Sequence, residues 1–152
     1  MNSTLRNYRE YSTVDKSSWG DGPWQQEPDK VQWIDQTTNL DCLIVRGPIG
    51  ALCGYVGVPE GHPLHGKEYD EPDVEVHGGL TFANLCADSK DEARHICHVP
   101  APGRPDHIFW FGFDCAHSGD YTPEPMRHRA DDVYRDLEYV RGQVESLARQ
   151  LI

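Results

Sequence analysis

His107-Ile-Phe-Trp-Phe-Gly-Phe-Asp-Cys-Ala-His117 is the densest apolar run in the chain, and its reading decides the fold. It is long enough for a buried strand and rich in the aromatic residues that pleated surfaces favour. It ends in Asp114, Cys115 and His117, side chains that ionise, bind metals or act as nucleophiles. Such groups are costly to desolvate at the end of a hydrophobic strand unless each finds a partner. Strand alternation separates them. Cys115 shares a face with Phe109, Phe111 and Phe113 and is expected in the core. Asp114 shares the other face with Ile108, Trp110 and Gly112, at the rim of a shallow, aromatic-walled space. His117 lies past the strand end and is free to turn back toward it.

Working outward, Val74-Glu-Val-His-Gly-Gly-Leu-Thr-Phe82 has the same character and reads as a neighbouring strand carrying His77. Further upstream, strands around 31–35, 42–46 and 51–58 read as an antiparallel meander. Turn-forming Thr38-Asn39 and Gly47-Pro-Ile-Gly50 separate them. Downstream, Val133, Leu137, Val140, Val144, Leu147 and Leu151 recur at steps of three and four, which predicts an amphipathic helix over about 130–151. Thr122-Pro-Glu-Pro and the acidic Ala130-Asp-Asp supply its start signals. Residues 1–30 read as an irregular arm pinned over the core by Trp19 and Trp24. The expected fold is α+β, one domain over 1–152: a mostly antiparallel sheet of about five strands within 31–117, with the C-terminal helix packed on one face.

Composition narrows the function classes. A formal charge of −11 with no basic run argues against a nucleic-acid polymer as partner. A small nucleotide needs only one or two arginines and some backbone amides, so it stays within reach. The chain has no apolar stretch of membrane-spanning length and no signal-peptide core, so a soluble, cytoplasmic protein is expected. Five cysteines, an odd number without framework spacing, predict free thiols in a reducing compartment.

Two chemistries fit the residues. The first is a zinc or other divalent-metal centre held by His77, Asp114 and His117, with His62 or His65 assisting, since two imidazoles and a carboxylate leave a position for an activated water. The spacing matches no specific metal motif, and strand-end capping explains the same residues without a metal. A second set, Cys86, His95, Cys97 and His98, suits zinc by donor type. Adjacent Cys97 and His98 point opposite ways on an extended chain, however, which disfavours it. The other chemistry is a small-molecule pocket in which Tyr55, Phe82 and Trp110 stack a base while Arg46, Arg104 or His77 meets phosphates. Gly78-Gly79 would let backbone amides approach the anion. Neither a phosphate-binding loop with Lys-Ser/Thr nor a dinucleotide fingerprint occurs.

Gly54-Tyr-Val-Gly-Val-Pro59, Gly61-His-Pro-Leu-His-Gly66, Val76-His-Gly-Gly-Leu-Thr-Phe82 and Phe111-Gly-Phe-Asp-Cys-Ala-His117 together resemble a family of small proteins of bacteriophages and bacterial genomes, over about residues 19–117. That family has no established activity, so the resemblance implies a phage or prophage setting and no mechanism. Association with small phage proteins that bind or cleave host nucleotide signals adds one idea. The expected function is thus a metal-dependent hydrolase-like domain acting on a small nucleotide-like substrate. The alternative is a non-catalytic module that sequesters such a ligand, and a structural or oligomerising phage protein comes third. Homo-oligomerisation is left open.

Overall fold

A computed structural model describes residues 5–86, 91–124 and 128–152. The first four residues of the expected arm, part of the Cys86–His98 stretch and Pro125 of the expected helix start lie outside them.

The fold is α+β. Six strands, β1 (Arg6–Tyr11), β2 (Lys30–Ile34), β3 (Asp41–Arg46), β4 (Leu52–Pro59), β5 (Phe82–Leu85) and β6 (Ile108–Asp114), form one sheet in the order β1-β2-β3-β4-β6-β5. Every neighbouring pair is antiparallel. The meander is β2 to β4. Its first turn is set by Asp35, whose carboxylate accepts the Thr38 amide and hydroxyl, and by Asn39 at φ 65°. Asparagine tolerates this left-handed conformation better than most residues.

Two expectations change. The arm contributes an edge strand, β1, paired to β2 with an irregularity between Arg6 and Arg9. As an edge strand it pairs on one side only, and none of its residues is buried, so its sequence is polar and carries no apolar run. The Val74–Phe82 segment is not a strand up to Phe82, where β5 begins. Gly78 and Gly79 both have positive φ, at 69° and 79°, and break the extended path there.

Alternation sorts the sheet into two faces. Val31, Trp33, Ile44, Val56, Phe111 and Phe113 point to one side and are buried against the C-terminal helix, α1 (Leu137–Gln150). The helix is shorter than the predicted 130–151. Asp136 caps it by accepting the Tyr139 amide, at the position where side-chain oxygens best satisfy the first turn. Val133 lies outside the helix, half exposed, in an isolated parallel bridge to Asp120. Leu137, Val140, Val144 and Leu147 form the buried stripe.

The opposite face carries Leu43, Val45, Tyr55, Ile108 and Trp110, packed with Phe82, Cys86 and Ile96. Irregular chain leading into β6 covers it, and buried polar side chains hold that cover. Lys30 Nζ donates to the carbonyls of Glu92, His95 and Cys97, the last two at 2.7 Å. Burial draws its pKa down to about 8, against the pull of Glu92 and Asp91. Gln32 bonds both the N–H and the C=O of Val99. Cys86 and Cys97 form a disulfide, contrary to the expectation of five free thiols; Cys42, Cys53 and Cys115 are free.

The N-terminal tryptophans are buried as expected. Trp24 stacks on Tyr121 with ring centroids 5.6 Å apart, and Trp19 Nε1 donates to Glu124 at 2.8 Å.

Candidate functional site

The chain reverses at the end of β6 and brings four histidine and carboxylate side chains together. Ala116 N–H donates to Asp114 Oδ1, and His117 N–H donates to Asp120 Oδ2. These bonds, with Gly119 at φ 94°, fold residues 114–120 into a compact turn. The helix supplies the second wall. Gln150 brackets Glu75, accepting its N–H at 2.7 Å and donating to its C=O at 2.8 Å, and Gln143 accepts the His77 N–H at 2.9 Å. Residues 75–77 are thereby laid along α1 by side chains standing in for a neighbouring strand.

His77 is fully engaged. Nε2 lies 2.9 and 3.0 Å from the two Asp120 oxygens, and Nδ1 lies 2.7 Å from the Tyr139 hydroxyl. With Asp120 ionised, the network assigns the ring proton to Nε2, and Nδ1 accepts from Tyr139. Asp120 also takes Arg135 Nε at 3.0 Å. Burial pushes its carboxyl up, but hydrogen bonds from His77, Arg135 and the His117 amide outweigh this and hold it below the usual carboxylate range. Arg135 lies over the Tyr139 ring, 5.0 Å from its centroid. The result is a hydroxyl–imidazole–carboxylate chain, Tyr139–His77–Asp120, steadied by a guanidinium.

His117 forms the second pair. Its Nε2 is 3.2 Å from Asp114 Oδ1, an ion-pair distance, but off the line of a hydrogen bond. Asp114 Oδ2 accepts from Thr81. The His117 and His77 rings are 6.2 Å apart. Gly78 makes this approach feasible, because a Cβ there would lie 2.4 Å from the His117 ring. The side chain is about a third exposed and borders a cleft of about 230 Å³ that Ser118, Thr122, His128, Arg129 and Asp132 also line. Clefts of about 350 and 550 Å³ also lie under the N-terminal arm, where Asp29 pairs with both Lys16 and Arg46.

His77, Asp114 and His117 therefore meet, as expected, but not as a metal triad. Both His77 nitrogens are directed to Asp120 and Tyr139, so an ion shared with His117 would have to break those bonds. His62 and His65 do not join them. His62 Nε2 donates to the Leu151 carbonyl at 2.6 Å, and its Nδ1 accepts the Leu64 amide. Leu151 is twelve residues beyond Tyr139, about 18 Å at helical rise. His65 contacts the His107 carbonyl at 3.3 Å and packs on Phe109.

The expected base-stacking wall is closed. Tyr55 covers Gly112 so tightly that a Cβ there would lie 2.3 Å from its ring, which fills the shallow space. Tyr55 packs edge-on to Phe82, and Trp110 is fully buried. Arg46 has no exposed side-chain surface; it is tied to Asp29, Glu27, Tyr134 and the Gly50 carbonyl. Arg104 binds the Asn39 carbonyl and Asp41 at the other end of the sheet. Cys115 sits in the helix-side core, and burial, with Asp120 nearby, pushes its thiol far up.

Asp120, Arg135 and Tyr139 were missed. The signals are faint: a Ser-Gly turn that returns a carboxylate beneath His117, and a tyrosine on the polar flank of an otherwise regular amphipathic helix. Compared with known proteins, the chain matches no family model, no curated protein and no solved structure.

Proposed function

We propose that the cleft beside His117 takes a small anionic, nucleotide-like molecule and that the adjoining histidine–carboxylate pairs act on it by acid–base chemistry, as a hydrolase. One observation carries the reading: two such pairs, His77–Asp120 and His117–Asp114, stand side by side, and one member of each, Asp120 and His117, lines a polar cleft that also holds Arg129 and His128. Two imidazoles with separate carboxylates can divide the roles of base and acid in a displacement by water. His117 is the more exposed member and suits proton abstraction, with Asp114 placed 3.2 Å from its Nε2 to orient the ring. Tyr139, bonded to the His77–Asp120 pair, is the second proton-transfer group. Arg129 supplies positive charge for a phosphate.

The complete internal bonding of His77 favours a second reading, in which that pair only braces the cleft and the ligand is bound without being changed. One experiment serves both. The protein is incubated with a panel of mono-, di- and cyclic nucleotides and with inorganic phosphate, and melting temperature and product formation are followed together. Hydrolysis that falls at least a hundredfold in His117→Ala supports the enzyme. A melting shift with the nucleotide recovered intact supports the binding module. Neither response across the panel overturns both readings.

A further inference from the structure

The disulfide end of the cover segment carries chemistry that the His77 site does not use. Cys86 Sγ, Cys97 Sγ and one ring nitrogen of His98 lie within 4.8 Å of one another, the only such His, Cys, Asp or Glu group among the described residues. The His98 side chain is 1 % exposed and neither of its ring nitrogens has a hydrogen bond. Its Nε2 is 3.6 Å from Asp41 Oδ2, beyond hydrogen-bond distance. A buried imidazole with both nitrogens unpartnered is rare in a folded core and signals a missing partner. The objection from the sequence, that neighbours on an extended chain diverge, does not hold here. Cys97 N–H bonds the His95 carbonyl at 2.9 Å, so the chain entering Cys97 is tightly turned.

We propose that Cys86, Cys97 and His98 form a site for a thiophilic divalent cation, zinc by donor type, which the Cys86–Cys97 disulfide closes and its reduction opens. A small-molecule dithiol supplies two electrons and two protons, breaking the S–S bond to give two thiols and leaving the reductant as its own disulfide. The cation then binds two thiolates and the imidazole, and the two thiol protons pass to solvent. Two sulfurs on one tetrahedral zinc stand about 3.8 Å apart, from Zn–S bonds of about 2.3 Å. Small rotations about the Cα–Cβ bonds give that separation, provided the backbone stays in place. It is held independently of the disulfide: Lys30 grips the Cys97 carbonyl, Gln32 grips both polar groups of Val99, and Cys86 directly follows β5. Asp41 Oδ2, 3.6 Å from His98 Nε2, would close to hydrogen-bond distance to orient the imidazole when Nδ1 holds the metal. Water fills the fourth position.

The test uses the full chain and Co²⁺ as the probe, after reduction with a phosphine and removal of oxygen. The reduced protein should bind one equivalent, with intense thiolate-to-cobalt absorption in the near ultraviolet and visible bands of tetrahedral strength; the oxidised protein should show neither. His98→Gln should weaken binding at least tenfold, and circular dichroism of the reduced variant checks its fold. Should that variant not fold, wild-type protein alkylated at its reduced cysteines provides the comparison and should lose all charge-transfer absorption. Absence of that absorption from reduced wild type overturns the site. Unchanged affinity in folded His98→Gln, or absorption that survives alkylation, overturns the ligand assignment.

Discussion

The two faces of the sheet are covered by opposite means. On one, a regular helix lays Val140, Val144 and Leu147 on an apolar surface and satisfies its own backbone internally. On the other, irregular chain brings unpaired carbonyls and amides onto the sheet, and buried polar side chains must bond them. Lys30 and Gln32 on β2 do so. Hydrophobic surface alone is enough to hold a helix. Chain without secondary structure needs donors and acceptors built into the surface beneath it.

The largest effect should come from the helix face. Leu147→Ala removes a fully buried side chain and should cost about 3 kcal/mol of global stability by chemical denaturation. Lys30→Met leaves the carbonyls of Glu92, His95 and Cys97 without their donor and should cost about 2 kcal/mol. Its signature is different: amide exchange should rise first in residues 91–99 while the helix stays protected. Uniform loss of protection in Lys30→Met would break the comparison. Asp136→Ala removes the cap and should cost about 1 kcal/mol, with fraying confined to the first turn of α1.

The smallest effect is spread over pH. Asp120 and Asp29 both have folded pKa values below their ordinary ones, for Asp29 because bonds to Lys16, Arg46 and backbone amides outweigh its burial. A depressed carboxyl stabilises the fold above its unfolded pKa, about 3.9, and that stability is lost as pH falls through the folded values. The share of stability carried by these two carboxylates should therefore be constant above about pH 5 and be lost in more acid solution, so the acid-side drop in melting temperature should be less steep in Asp120→Asn. An equal slope in that variant would remove Asp120 from the account.

The same contrast explains what could be read from the chain. The meander, the aromatic strand and the helical stripe follow from apolar periodicity, and the placing of Cys115 with the phenylalanines follows from alternation. Periodicity has nothing to say about β1, whose residues are polar because the strand is at an edge. It misleads at 74–81, where alternation continues but two glycines turn the chain. Of the site, His77, Asp114 and His117 were identifiable as costly groups near apolar strands. Asp120 and Tyr139 were not, because a turn carboxylate and a flanking tyrosine look like ordinary surface until the helix start at Leu137 is known. Arg46 shows the opposite error: a lone arginine after an apolar strand suggests an anion site, yet buried carboxylates surround it.

The sheet's outer strands have a bearing on how copies of this chain meet. β1 is interrupted between Arg6 and Arg9 and carries Asn7 at φ 52°, a backbone turn no flat strand can follow. At the opposite edge, β5 is four residues long and stops at a disulfide cysteine. Among the described residues, neither margin offers a long run of regularly spaced donors and acceptors, which disfavours strand-to-strand growth.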